Sequence, residues 1–176
     1  MKINFSKITL QELASFVYET LKSHNIDVVL VGGACVSIYS ENRYQSMDVD
    51  FVTYQELKAI EKILLKSGFK RVGRSFSHGD CPYLVDFVNP PIAVGHEAIH
   101  QFEKLQTASG SLVLLLPTDC VKDRLAAFFY WDDKQALDQA LLVAKAHKID
   151  IENIRNWAGA EGFLEEFDHF LKLLRI

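Results

Sequence analysis

Three aspartates, a serine and a glycine pair are the residues of this 176-residue chain whose types and spacing can do chemistry together. Asp48 and Asp50 stand two apart, and apolar Met47, Val49 and Phe51 alternate with them. That alternation predicts a strand with one buried and one acidic face, from which both carboxylates project about 7 Å apart. Carboxylates so placed share hard cations such as Mg2+ or Mn2+, which bind phosphates and keep several waters of their own. A solvated strand face bearing two acids gives the same pattern.

The surroundings favour the first reading. Gly32-Gly33 follows the apolar run Val28–Val31 and precedes a helical stretch, so free backbone amides and the positive helix end can receive a phosphate there. The pair belongs neither to a GxGxxG fingerprint nor to a P-loop, since no Lys-Ser/Thr follows. Ser46 shares the acidic face and can donate its hydroxyl to a phosphate oxygen. Arg43, three residues earlier, can add positive charge. A third acid, Asp86, interrupts the apolar run Tyr83-Leu84-Val85-Asp86-Phe87-Val88, where a carboxylate needs a partner or a metal.

These residues need elements to position them. Thr9-Leu10-Gln11-Glu12 reads as a capping box opening an amphipathic helix, followed by a buried strand over Asp27–Val31 and a short helix over Ala34–Tyr39. The acidic strand spans Met47–Val52. Thr53-Tyr54-Gln55-Glu56 reads as a second capping box, opening a helix that closes at Gly68. Strands are expected over Phe69–Val72, Tyr83–Val88 and Leu112–Leu116, the last bounded by Gly110 and Pro117. Beyond Pro117 the character is helical: Thr118-Asp119 can cap a helix, and further helices are expected over about Asp133–His147, Ile151–Trp157 and Gly162–Leu174. The fold class is therefore α/β (α+β), a mixed sheet with helices on one face. Residues 1–116 form the core, and residues 117–176 a helical region packed on it.

Composition excludes several classes. With 49% hydrophobic and 24% charged residues the chain has an ordinary globular makeup, and its three cysteines, Cys35, Cys81 and Cys120, form no CxxC pair. A net charge of -4 gives no overall basic footprint for nucleic acid. Lys66, Lys70, Arg71, Arg74 and His78 form one basic stretch that can steer an anionic substrate or simply be solvated. The opening residues Met1–Ser6 lack a leader's apolar run, and no apolar run spans a bilayer, so a cytoplasmic protein away from membranes is expected.

Strand, Gly-Gly, helix, Ser-x-Asp-x-Asp on the next strand and a later strand aspartate together resemble the polymerase-β-like nucleotidyltransferase superfamily. The likeness is nearest to minimal bacterial members of the toxin and abortive-infection type. It covers Val28–Asp86 by motif, and Leu116–Gln139 more loosely. The resemblance implies an NTP substrate, Mg2+ or Mn2+, and transfer of NMP to a hydroxyl on an RNA, a protein or a small molecule. Asp48, Asp50 and Asp86 would be the catalytic and metal-binding acids. Gly32, Gly33, Ser46, Arg43, Arg124 and Lys122 would hold the nucleotide. The family usually carries a nucleotide-contacting lysine in the helix after Pro117, where this chain aligns Arg124, with Lys122 nearby. Arg is a bidentate fork and Lys a point charge, so the two hold a triphosphate differently. Arg124 can instead be an ion-pair partner of Asp123 or Asp119. Asp133 and Asp138 lie near a further acid of toxin-type relatives. A catalytically weak nucleotide-binding regulatory or toxin-antitoxin component remains an alternative, with a partner protein or self-association open.

His96-Glu97-Ala98-Ile99-His100 matches HExxH, the zinc-hydrolase signature, which requires both histidines on one helical face. No third ligand is evident downstream, and Gln101–Gln106 alternates like a strand. Trp131 and Trp157 lie on helical stretches, as core anchors do.

Overall fold

The computed structural model describes residues 3–175. Met1 and Lys2, which begin the stretch expected to lack a leader's apolar run, lie outside them. After a 3-10 turn at Phe5–Lys7 come α1 (Leu10–Lys22), β1 (Val29–Val31), α2 (Gly32–Tyr39), β2 (Asp48–Val52) and α3 (Leu57–Lys66). Next are β3 (Phe69–Val72), β4 (Ser75–His78), β5 (Leu84–Val88), the short β6 (Ala93–Val94) and β7 (Glu97–Ala98), β8 (Phe102–Thr107) and β9 (Gly110–Leu115). Helices α4 (Pro117–Trp131), α5 (Lys134–Ala146), α6 (Ile151–Glu161) and α7 (Leu164–Leu174) complete the chain.

Seven strands form one mixed sheet in the order β3-β4-β5-β2-β1-β9-β8. The β2–β5 and β1–β9 pairs are parallel; the other neighbours are antiparallel. Alternation assigns the two faces. Leu30, Val49, Phe51, Phe69, Phe76, Val85 and Leu114 are at most 1% exposed and join Leu13, Val17, Leu21, Ile60 and Leu64 of α1 and α3 in one core. Asp48, Asp50 and Asp86 are the intervening residues, on the opposite face. Helices α4 and α5 pack against each other and against α2, beside the carboxyl ends of β1 and β9.

Local chemistry explains several boundaries and corrects others. The α1 capping box forms: the Glu12 amide donates to Thr9 Oγ1 at 3.2 Å and the Thr9 amide to Glu12 Oε2 at 2.8 Å. The second box does not. Thr53 Oγ1 donates to the Asp27 carbonyl at 2.9 Å and accepts from the Gln55 amide, tying off β2, while α3 starts only at Leu57 without a side-chain cap. Thr118-Asp119 does not cap α4 either, because Pro117 already occupies its first turn and needs no amide partner. Trp157 is a core anchor, donating Nε1–H to the Val94 carbonyl at 3.1 Å, but Trp131 at the end of α4 is 77% exposed. The basic stretch from Lys66 to His78 contains an unexpected strand: Gly73 takes a φ of 64° and folds β3 back onto β4.

The HExxH segment is not helical. Gly95, with a φ of 59°, and His96 form the turn of the β6–β7 hairpin, Glu97 lies in β7, and His100 is exposed between β7 and β8. Glu161 fixes this turn, accepting from the His96 amide at 2.7 Å and contacting His96 Nδ1 at 2.8 Å. The two histidines share no helical face, so this segment lacks the zinc-hydrolase geometry that its HExxH pattern suggests.

No described helix is long and apolar enough to cross a membrane.

Candidate active site

Backbone register gathers the acids. On parallel β2 and β5, Asp50 pairs with Asp86 and Asp48 with Leu84; across the antiparallel pair with β1, Asp50 faces Val31, the residue before Gly32. Neighbouring strands lie about 4.8 Å apart, so the Asp50 and Asp86 backbones are direct neighbours, with Asp48 one side-chain repeat along the same face.

Gly32 has a φ of 69°, and a Cβ added there would lie 3.0 Å from Asp50 Oδ2. The left-handed backbone and the close approach both require glycine. They also place the Asp50 carboxylate against the amino end of α2, whose first turn has no side-chain cap. A Cβ on Gly33 would meet Ser46 Oγ at 3.1 Å. The glycine pair thus leaves a side-chain-free notch between the helix start and the acids, with uncapped amides directed at it.

The electrostatics are those of crowded negative charge. Burial first, then the charges of Asp86 and Asp48, push the Asp50 carboxyl from 3.8 up to about 6; Arg124 opposes the rise and Asp123 adds to it. Asp86 Oδ1 is buried and has no hydrogen-bond partner among the described residues. A buried carboxylate oxygen without a donor is costly and suits a cation. Among the described residues no three His, Cys, Asp or Glu side chains already close round a metal site. Without a counter-ion, like charges have no reason to converge.

The remaining candidates separate. Ser46 is buried at the notch, donating to the Asp48 carbonyl at 3.0 Å and accepting from the Asp48 amide at 3.3 Å, while its own amide donates to Ser37 Oγ at 2.9 Å. It therefore shapes the turn into β2 as well as facing the notch. Arg43 is exposed in the turn after α2 and makes no ion pair among the described residues. Arg124 comes from α4 and reaches the acids' electrostatic neighbourhood. Its Nη2 lies 2.5 Å and its Nε 3.0 Å from Asp123 Oδ2, and Nη1 donates to Gln139 Oε1 at 3.3 Å.

Lys122 goes elsewhere. Two residues from Arg124 is about 200° round the helix, and its ammonium, 1% exposed, bonds both Glu97 oxygens at 3.0 and 2.9 Å with Asp119 at 3.6 Å. It lines a separate cavity of about 370 Å³ with His100, Thr118 and Asp150. Asp133 caps α5 by accepting from the Ala136 amide, and Asp138 is exposed on that helix.

Sequence reasoning missed Gln139 as a site residue and treated Asp123 only as a surface partner. Gln139 had a legible signal: a buried polar residue on the Ala136–Ala140–Val143 stripe of α5.

No family model and no curated protein matches the chain. Solved structures do. An antigenic nucleotidyltransferase-like protein from Paracoccidioides brasiliensis aligns with a TM-score of 0.59 at 16% identity, over 76% of this chain and 74% of that one. ANT(2″)-Ia in complex with adenylyl-2″-tobramycin aligns at 0.52 and 14% identity, over 93% of this chain and 98% of the other. The solution structure of the antibiotic-resistance factor ANT(2″)-Ia aligns at 0.53 and 14% identity, over 91% and 96%. At such identities the likeness is one of architecture: the chain has a nucleotidyltransferase-type fold, with Asp48, Asp50 and Asp86 on the open face of its sheet.

Proposed function

We propose that this protein is a metal-dependent nucleotidyltransferase that moves NMP from an NTP to a hydroxyl on an RNA, a protein or a small molecule. The observation that carries this is the register pairing of Asp50 with Asp86 beside the Gly32-Gly33 notch, with the Asp86 oxygen left unpaired. The reading extends to a minimal toxin- or abortive-infection-type enzyme whose core is residues 1–116 and whose helical region, 117–176, delivers Arg124.

Asp48, Asp50 and Asp86 would hold two Mg2+ or Mn2+ ions. The unpartnered Asp86 oxygen and the raised Asp50 carboxyl fit that role, because each gains from a nearby cation. When bound, such ions polarise the α-phosphate and lower the pKa of the attacking hydroxyl. The chain's own groups do the rest. The open amides of α2 at Gly32 and Gly33 receive phosphate oxygens, and Ser46 limits the notch on its far side. Arg124 turns its fork from Asp123 towards the triphosphate and offsets the charge that develops on pyrophosphate. Asp86, at the outer end of the acid pair, accepts the hydroxyl proton as the acceptor oxygen bonds to the α-phosphorus and pyrophosphate leaves. Arg43, exposed at the rim, supplies further positive charge. Lys122 has no part, being held by Glu97.

The test is incubation with each labelled NTP, Mg2+ or Mn2+, and RNA, protein or small-molecule acceptors, comparing the wild type with Asp48→Ala/Asp50→Ala. Transfer that needs both the metal and the aspartates is expected. Metal-dependent NTP binding without transfer to any acceptor would favour the regulatory reading, and no binding at all would sink both.

A further inference from the structure

We propose that the uncovered sheet face beside the acids is the docking surface for a single-stranded RNA acceptor, held by Lys70 and Arg74; this rests on the nucleotidyltransferase reading. Cross-strand register sets out the surface. Lys70 pairs with Ser77, Ser77 with Leu84, and Leu84 with Asp48, so one straight row runs across β3, β4 and β5 to the first acid of β2. At about 4.8 Å per strand the row spans roughly 14 Å, the reach of two or three nucleotides. Helices α1 and α3 pack on the other face, and Lys70, Val72, Leu84 and Val88 are exposed here.

Charge selects the occupant. From Lys66 to His78 there are five basic or histidine residues and no acid, within a chain of net charge -4. Arg71 is engaged with Glu61 at 3.1 Å, but Lys66, Lys70 and Arg74 form no ion pair among the described residues. A positive hairpin on an acidic protein, next to exposed aliphatic side chains and leading into a phosphoryl-transfer notch, suits a polyanion with flat apolar bases. Phosphates would sit on Lys70 and Arg74, a base would cover Leu84, and the terminal hydroxyl would reach Asp86. An amine-rich acceptor would find the wrong sign of charge here. A folded protein would need more apolar area than these scattered side chains offer.

The probe is a fluorescent ten-nucleotide single-stranded RNA ending in a 3′-hydroxyl, titrated with the full chain while polarisation is followed. Lys70→Glu/Arg74→Glu is expected to weaken binding by tenfold or more, and the log–log salt slope should fall by roughly 1.4 for two lost phosphate contacts. Lys104→Glu, on the far edge strand β8, should leave both unchanged. Leu84→Gln, which removes the aliphatic surface without placing a new charge opposite Asp48, should weaken binding, and the melting temperature reports that each variant is folded. Equal binding by the hairpin and Lys104 variants, no binding by the wild type, or occlusion of the face by a second copy overturns the proposal. Metal-dependent NTP binding, measured in parallel, separates the two readings. If it is present without RNA binding, the docking surface falls and the enzyme reading stands. If it is absent while RNA binding needs Lys70 and Arg74, the reverse holds.

Discussion

Asp50 and Asp86 occupy matched positions on adjacent parallel strands, and Asp86 is the strongest charged influence raising the Asp50 carboxyl to about 6. Two acids held side by side cost the fold stability until something positive sits between them. Such an arrangement is expected of a binding site rather than of a structural pair.

The first prediction concerns pH. Below 3.8 Asp50 is protonated both folded and unfolded and costs nothing; between 3.8 and about 6 the unfolded chain ionises first, so stability falls as pH rises. Above that range the penalty is constant, on the order of 2 kcal/mol once residual solvent exposure is allowed for. Asp50→Asn should therefore raise the metal-free melting temperature by about 4–8 °C at pH 7.5 and do little near pH 4. Mn2+ should stabilise the wild type and not the variant. Equal melting temperatures at pH 7.5 would remove the crowding argument.

Gly32 offers a purely steric test. Alanine there would adopt a left-handed φ of 69° with its Cβ 3.0 Å from Asp50 Oδ2. Gly32→Ala should cost about 1–2 kcal/mol in denaturant unfolding. NTP affinity should fall by a larger factor than stability explains, because the added carbon fills the notch. If NTP binds Gly32→Ala as tightly as the wild type, phosphate does not enter there.

Arg124 is the third test. Charge-assisted hydrogen bonds contribute about 1.5–3 kcal/mol, so Arg124→Ala should weaken NTP binding roughly ten- to hundredfold. Arg124→Lys keeps the charge but not the fork, and should fall between the two. Calorimetric titration with a non-hydrolysable NTP and Mg2+ reads this directly. Unchanged affinity in Arg124→Ala would confine Arg124 to its pairing with Asp123 and Gln139.

The site was legible wherever short-range spacing dictates geometry. The period of two put Asp48 and Asp50 on one face, and the glycine pair marked the end of a buried strand, because both are properties of adjacent residues. The partnership of Asp50 with Asp86 depends on strand order, which local patterning does not encode; only the odd carboxylate in an apolar run hinted at it. Strand β4 was hidden because its half-buried polar residues, Ser75, Ser77 and His78, carry too little apolar alternation. Thr53 misled for a related reason: a capping-box pattern is only an offer of hydrogen bonds, and the Asp27 carbonyl took it first. The HExxH match failed because three fixed residues do not make a helix, whereas Gly95 makes a turn.

Lys122 provides the last prediction, because its position two residues from Arg124 invites confusion of their roles. Its ammonium is buried against Glu97 and Asp119, and burial first, then Glu97, raise the Asp119 carboxyl while Lys122 lowers it. Removing the cation leaves two carboxylates facing each other in the cavity. Lys122→Met, which keeps most of the volume, should destabilise the protein by about 3 kcal/mol. Adding Glu97→Gln should recover a substantial part, since one of the stranded charges is then gone. Neither variant should alter the affinity of the folded protein for NTP and Mg2+ by more than about twofold. A folded Lys122→Met protein that has lost NTP binding would instead return Lys122 to the nucleotide site, and would mean that its bond to Glu97 opens when substrate arrives.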